Sequence, residues 1–139
     1  RILNGNNLDI YEDGEETRDF VYIEDVVDAT ILGIEKEEAN GQIFNIGSGI
    51  ATRVLDVANT LKRLYNSEIN ITVSGKFRLG DIRHNFADLS KSKDILGFTP
   101  KYNFERGITE FVNWVKTQEV MEDKYEKSIQ QLKNKGLIK

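Results

Sequence analysis

Strands and helices alternate along this sequence, and that alternation predicts an α/β domain. Two observations carry the prediction. Short runs rich in β-branched and aromatic residues recur at Leu8–Tyr11, Arg18–Ile23, Gln42–Ile46 and Ile69–Val73. Between and after them lie stretches whose apolar residues repeat at three- and four-residue spacing, the period of an amphipathic helix. The resulting order is β-β-α-β-α-β-loop-α-α.

Each element has a local reason. Leu8-Asp9-Ile10-Tyr11 alternates apolar and polar residues, and Glu12-Asp13-Gly14 turns the chain, with Gly14 suited to positive φ. After the strand at Arg18–Ile23, a helix begins near Glu24-Asp25, because acidic residues in a first turn complement the helix dipole. Val26, Ala29, Thr30, Gly33 and Ile34 form its expected inner face, and Asn40-Gly41 ends it. Gln42-Ile43-Phe44-Asn45-Ile46 reads as a short buried strand. Thr52 is the expected N-cap of the next helix, whose inner face is Val54, Leu55, Ala58, Leu61, Leu64 and Tyr65. A short helix follows from Asp88, capped by Asp88 or Ser90 and stopped by Gly97 and Pro100. From Phe104 a longer helical pattern runs through Ile108, Phe111, Val112 and Val115. Gln118 and Glu119 break the stripe before it resumes at Met121, Tyr125, Ile129 and Leu132, which suggests two helices. The second stripe could dock on this chain or on a neighbour.

Composition narrows the function classes. The 139 residues suffice for one domain with a core. A net charge of −4 argues against a general nucleic-acid binder, which carries a basic face. No apolar run approaches the roughly 18 residues that a membrane span needs. Without cysteine there is no disulfide or thiolate chemistry, and a single histidine argues against a His-based metal site. A cytoplasmic protein is expected. The chain opens on Arg1 rather than Met, and a piece of a longer polypeptide is expected from that.

The chemistry-bearing residues concentrate in Phe77-Arg78-Leu79-Gly80-Asp81-Ile82-Arg83-His84, a basic knot in an acidic chain. Arginine offers a planar fork that suits phosphate oxygens; a solvated loop is the alternative. Gly47-Ser48-Gly49, between an expected strand and helix, has the form of a phosphate-binding turn or of a plain tight turn. Position 52 is Thr where the full dinucleotide fingerprint needs a third glycine. Arg18 either binds an anion or neutralises the acidic turn at Glu12–Glu16. Tyr11 and Phe77 are candidate stacking faces for a base, or core aromatics. His84 is a general base or a hydrogen-bonding surface group. No Ser/His/Asp arrangement, paired-carboxylate motif or Tyr-x-x-x-Lys is present, so no catalytic residue is assigned.

Several stretches, in order, resemble one family. Thr17-Arg18-Asp19-Phe20-Val21-Tyr22-Ile23-Glu24-Asp25-Val26-Val27 is similar to the Arg-Asp-aromatic-Val-Tyr-Val-x-Asp-Val segment of nucleotide-sugar epimerases and dehydratases, members of the extended short-chain dehydrogenase/reductase family. Phe44-Asn45-Ile46-Gly47-Ser48-Gly49 resembles its Tyr-Asn-x-Gly-x-Gly strand and turn. Arg78-Leu79-Gly80-Asp81-Ile82-Arg83-His84, then Ala87–Lys91, resembles its Arg-x-Gly-Asp-Val-Arg-His segment. Leu96-Gly97-Phe98-Thr99-Pro100 and Trp114 also fall in place.

The resemblance is to the C-terminal third of such enzymes. It implies the last strands and helices of a Rossmann-type sheet plus a small α/β substrate-binding domain. Residues 1–116 would be the substrate-binding part and 117–139 a helical tail, with NAD held by an N-terminal Rossmann domain absent from this chain. By resemblance Arg18 and Arg78 grip a nucleoside diphosphate, Asp81 hydrogen-bonds the ribose, Tyr11 lies beside the nucleobase and Asn45 lies near the ligand. The implied activity is that of an NAD-dependent UDP-hexose 4-epimerase: C4 of the sugar is oxidised by bound NAD, and the 4-keto intermediate turns over before reduction. A 4,6-dehydratase or reductase of the same family, or a non-catalytic sugar-nucleotide-binding module, is the alternative. The implied full-length enzyme is a homodimer, with a UDP-sugar as the favoured ligand and no nucleic-acid or membrane partner. No metal, and no cofactor within this stretch, is expected.

Overall fold

The computed structural model describes residues 1–139. The element order is β1 (Leu8–Ile10), β2 (Thr17–Arg18), α1 (Ile23–Glu35), β3 (Thr52–Arg53), α2 (Val54–Leu64), β4 (Ile71–Val73), α3 (Phe104–Val115) and α4 (Tyr125–Asn134). A 3-10 turn covers Glu37–Ala39 and a π-helical turn covers Ser92–Leu96. The α/β class stands. No helix is long and apolar enough to cross a membrane. The chain divides into two units: residues 1–16, 53–83 and 112–139 form one, and residues 17–52 and 84–111 the other.

In the first unit β1 and β4 pair in parallel, with Leu8 opposite Ile71, Asp9 opposite Thr72 and Ile10 opposite Val73. A parallel pair needs a long crossover, and here α2 lies within it and packs on β1. Ala58 of α2, Ile10 and Ile69 are buried, as are Val112, Ile129 and Ile138. Thr52 does not cap α2. Arg53, extended at φ −71 and ψ 141, holds the N-cap position without a side-chain cap. The acidic turn takes over that function through its backbone: Val54 N–H donates to the Glu16 carbonyl at 2.9 Å and Leu55 N–H to the Gly14 carbonyl at 3.3 Å. Gly14 takes φ +81, and a Cβ added there would lie 3.2–3.5 Å from Leu55 and Ile10 side-chain atoms. Here the turn residue and the helix start determine each other.

The second unit buries Ala29, Ala39, Leu96 and Phe98 as its core, with Leu32, Phe44, Ile46, Leu89 and Ile95 packed around them. Helix α1 begins at Ile23 with Glu24 and Asp25 in its first turn. The strand expected over Arg18–Ile23 is therefore cut short, and only Thr17–Arg18 is strand. The expected inner face of α1 is correct at Ala29 and wrong at Ile34, which is 79% exposed. Asp25 is buried instead, its carboxylate accepting the Lys101 N–H at 2.8 Å and the Tyr102 N–H at 3.1 Å beyond Pro100. A buried carboxylate satisfied by backbone donors fixes a loop that apolar periodicity does not reveal.

Residues 42–46 form no strand, and Ile43 is 86% exposed. A strand exists through its ladder, and apolar sequence alone does not supply a neighbouring strand. Phe44 and Ile46 still pack on the core. The helical turn at Ser90–Leu96 begins as expected, with Ser90 N–H and hydroxyl donating to Asp88 Oδ1 at 2.9 and 2.6 Å. Gly97 ends it in the left-handed region at φ 69. The break between α3 and α4 is also as read, with the polar residues 118 and 119 outside both helices.

Candidate functional site

Residues 77–83 of the basic knot lie in the first unit and wall an open recess of about 500 Å³. Its lining combines Phe77 and Leu79 with the charged residues Arg78, Asp81, Arg83, Glu12 and Asp13, over Gly75 and Gly80. Gly80 takes φ +82, where an L side chain is strained, and so allows the chain to fold Asp81 back towards Arg78. Arg78 Nε and Nη2 donate to Asp81 Oδ2 at 3.0 and 2.6 Å. About half of the Arg78 side chain remains exposed, at 52%. The guanidinium is thus held in one orientation by a carboxylate while part of its donor fork faces the recess. That arrangement suits capture of an anion.

Arg83 works differently. It donates to Glu12 Oε2 and to Asp13 Oδ2, both at 2.6 Å, and so ties the acidic turn to the recess wall. These bonds hold the Asp13 carboxyl below the usual carboxylate range and push the Arg83 guanidinium upward. Arg83 shares the neutralisation of the acidic turn with Arg53. Arg53 donates to Glu15 at 3.2 Å and to Asp56 at 2.8 Å.

Tyr11 follows β1 in the same unit as Arg78 and Asp81. Its hydroxyl is 3.3 Å from that of Tyr125, which donates to Asp9 Oδ2 at 3.1 Å. Tyr125 has one proton and spends it on Asp9, so Tyr11 is the donor between the two phenols. Lys76 Nζ donates to the same Asp9 oxygen at 2.8 Å. Burial pushes the Tyr125 phenol well up, and the bonds to Tyr11 and Asp9 push it further. Burial alone would raise Asp9, but the bonds from Lys76, Ser74 and Tyr125 outweigh it and hold the carboxyl low.

Arg18 and Asn45 belong to the second unit. Arg18 is half-buried in β2, and its Nη1 donates to the Thr17 carbonyl at 2.8 Å. Asn45 is exposed. His84 pairs with Thr17 through Nδ1 and the threonine hydroxyl at 3.0 Å, which favours its reading as a hydrogen-bonding surface group.

The Gly47-Ser48-Gly49 turn is organised by a residue that sequence reasoning passed over. Asp19 Oδ1 accepts the Ser48 N–H at 2.7 Å and its hydroxyl at 2.6 Å, while Oδ2 accepts the Gly49 N–H at 3.0 Å and the Ala87 N–H at 3.1 Å. Partial burial would raise this carboxyl, but the four hydrogen bonds prevail and hold it below the ordinary range. The amides that a phosphate would use already face a carboxylate, so the turn is structural. For the same reason this turn offers no seat for an NAD diphosphate, its amides being taken by Asp19.

Solved proteins of one family share this fold. Residues 1–111 match the family model described as GDP-mannose 4,6 dehydratase. The chain belongs to this family, within the NAD-dependent extended short-chain dehydrogenases/reductases. It is 44% identical to the dTDP-L-rhamnose 4-epimerase of Burkholderia thailandensis over 108 residues, covering 78% of this chain and 30% of that protein. Among solved structures, it is similar to the UDP-glucose 4-epimerase of Thermotoga maritima with UDP-glucose, at 36% identity and a TM-score of 0.71, over 84% of this chain and 37% of that one. It is also similar to MoeE5 in complex with UDP-glucuronic acid and NAD, at 30% identity and a TM-score of 0.74, over 82% and 38% of the two chains. The chain spans about a third of the length of these relatives.

Proposed function

We propose that this chain is the substrate-binding part of an NAD-dependent nucleotide-sugar epimerase, with a UDP-hexose inverted at C4 as the favoured substrate. The observation that carries the reading is the Arg78–Asp81 pair at the mouth of the recess. In this reading Arg78 takes the diphosphate oxygens and Asp81 accepts from the ribose hydroxyls. Tyr11 contributes its ring to the base, its hydroxyl already fixed by Tyr125. Arg18 and exposed Asn45 are proposed as ligand contacts on the strength of the resemblance. These residues bind and orient; an oriented substrate lowers the barrier without any of them exchanging a proton.

The family's redox chemistry is supplied by NAD when bound, and we assign that site to residues outside this chain. The 4-epimerase activity is favoured by the names of the relatives above, although a decarboxylase and a 4,6-dehydratase also occur among similar proteins. Homodimer assembly and a cytoplasmic location belong to the same proposal. Calorimetric titration of UDP into the full-length protein tests it. Binding that weakens on Arg78→Ala supports the assignment, and equal binding by both proteins overturns it. Turnover of UDP-glucose to UDP-galactose by the full-length enzyme without loss of water separates epimerase from dehydratase, and release of carbon dioxide from UDP-glucuronate would mark a decarboxylase.

A further inference from the structure

The last three residues of the chain form a ladder with the recess wall. Phe77 N–H donates to the Lys139 carbonyl at 2.9 Å, Lys139 N–H returns to the Phe77 carbonyl at 3.0 Å, and Leu79 N–H donates to the Leu137 carbonyl at 3.0 Å. Arg78 and Ile138 face each other in the antiparallel bridge between these bonds. Ile138 is buried at 9% exposure, while Phe77 and Leu79 are 41% and 46% exposed. The wall is therefore an exposed stretch that obtains its extended geometry from a partner strand. That partner is the tail.

The other end of the tail is fastened at the other proposed ligand contact. Tyr125, the first residue of α4, reaches Tyr11 and Asp9 through its hydroxyl, and the Arg1 guanidinium lies 4.0 Å from the centre of its ring. Asp123 accepts from the Asn6 side chain at 2.7 Å and from the Tyr125 N–H at 2.9 Å. Ile129, midway along α4, is buried. The family match ends at residue 111, so every tail residue of this fastening lies outside it.

We infer that residues 125–139 are a positioning element of the nucleotide recess, setting Phe77 to Leu79 through the Leu137–Lys139 strand and Tyr11 through Tyr125. The inference rests on the reading of the recess as a nucleoside-diphosphate site and adds to it the segment that shapes it. No tail side chain need touch the nucleotide. Its effect passes through the backbone of residues 77–79 and the phenol of Tyr11.

The test pairs UDP titration with amide hydrogen exchange on the full-length protein, in wild type, Ile138→Asp and Tyr125→Phe. Ile138→Asp is expected to speed exchange at the Phe77 and Leu79 amides by at least tenfold and to weaken UDP binding at least fivefold. The Ser48, Gly49 and Ala87 amides, held by Asp19 in the other unit, should remain as slow as in wild type. Tyr125→Phe should weaken UDP binding while leaving Phe77 and Leu79 slow. If Ile138→Asp does not fold, Lys139→Pro takes its place, because it deletes the N–H donated to Phe77 while keeping the buried Ile138. Fast exchange at residues 77 and 79 with unchanged UDP affinity overturns the inference, as does slow exchange in both strand variants. Absence of UDP binding by wild type overturns the nucleotide reading itself, which the exchange data identify separately.

Discussion

Asp19 and Ser48 are joined twice, the carboxylate Oδ1 accepting both the amide and the hydroxyl of the serine at 2.7 and 2.6 Å. With Gly49 and Ala87 on Oδ2, one side chain fixes a glycine turn and the segment after His84. Hydrogen bonds to a charged acceptor contribute about 1.5–3 kcal/mol each and do not add fully. Asp19→Ala strands three amides, two in the half-buried turn and that of Ala87. It is expected to lower the unfolding free energy by about 3 kcal/mol. The readout is a lower urea midpoint at unchanged slope. An unchanged midpoint would mean that water replaces the carboxylate without loss.

The same group sets an acid limb. The folded Asp19 carboxyl lies below the ordinary value of 3.8, because its hydrogen bonds outweigh the opposing effect of burial. A depressed folded value means that the unfolded state binds the proton first as pH falls. The stabilisation is therefore complete well above pH 3.8 and is lost as pH drops through that value towards the folded one. Asp19→Asn is expected to flatten the fall in stability below about pH 4 while lowering stability at neutral pH. Urea midpoints measured from pH 7 down to 3 check both signs. A parallel loss in wild type and variant would place the acid sensitivity elsewhere, at another carboxylate held low such as Asp9.

Gly47 makes a separate prediction about the same turn. A Cβ added there would press against Asp19 Oδ2 and lie 2.7 Å from the Ala87 Cβ. Neither neighbour can retreat, since Asp19 is held by four donors and Ala87 is backbone-anchored to it. Gly47→Ala is expected to cost about 2 kcal/mol, within the range for overpacking a tight site. Gly41→Ala, where nothing lies within 4 Å of the added atom, tests the contrast: its cost should be confined to the strain of φ +69. Thermal melts of the two variants should separate them.

Sequence disclosed most where one residue's chemistry is sufficient. The Leu8–Ile10 strand, the break between α3 and α4, the Asp88–Ser90 cap and the Gly97 stop follow from local pattern, and each is present. Arg78 and Asp81 were legible as a set because three positions and a glycine bring them together. What stayed hidden depends on distant partners. Nothing local distinguishes Asp19 from any strand-end carboxylate; its donors lie 29, 30 and 68 positions away. Asp25 looked like a helix-dipole residue and is also a buried acceptor for a loop 76 positions later. Thr52 lost the N-cap because the Gly14 and Glu16 carbonyls, from another part of the chain, supply the acceptors. Residues 42–46 carry strand propensity without a ladder, which composition cannot provide.

Arg78 and Asp81 yield the prediction that most directly separates binding from mere neutralisation. In the resting recess Asp81 Oδ2 takes two Arg78 donors, at 3.0 and 2.6 Å, so a phosphate must share the guanidinium with a carboxylate. If Asp81 also accepts from the ribose, its removal has opposite effects on two ligands. Asp81→Ala should leave inorganic pyrophosphate binding equal or tighter, since the competing charge is gone, yet weaken UDP by about tenfold, a cost of about 1.4 kcal/mol. Arg78→Ala should weaken both ligands by about 10- to 100-fold, the loss of a charge-assisted contact. Arg78→Lys should recover only part of that, because an ammonium keeps the charge and loses the fork. Titration of both ligands into the four full-length proteins at fixed ionic strength decides the matter. Equal loss of pyrophosphate and UDP in Asp81→Ala would make Asp81 an orienter of Arg78 alone, and the ribose assignment would fall.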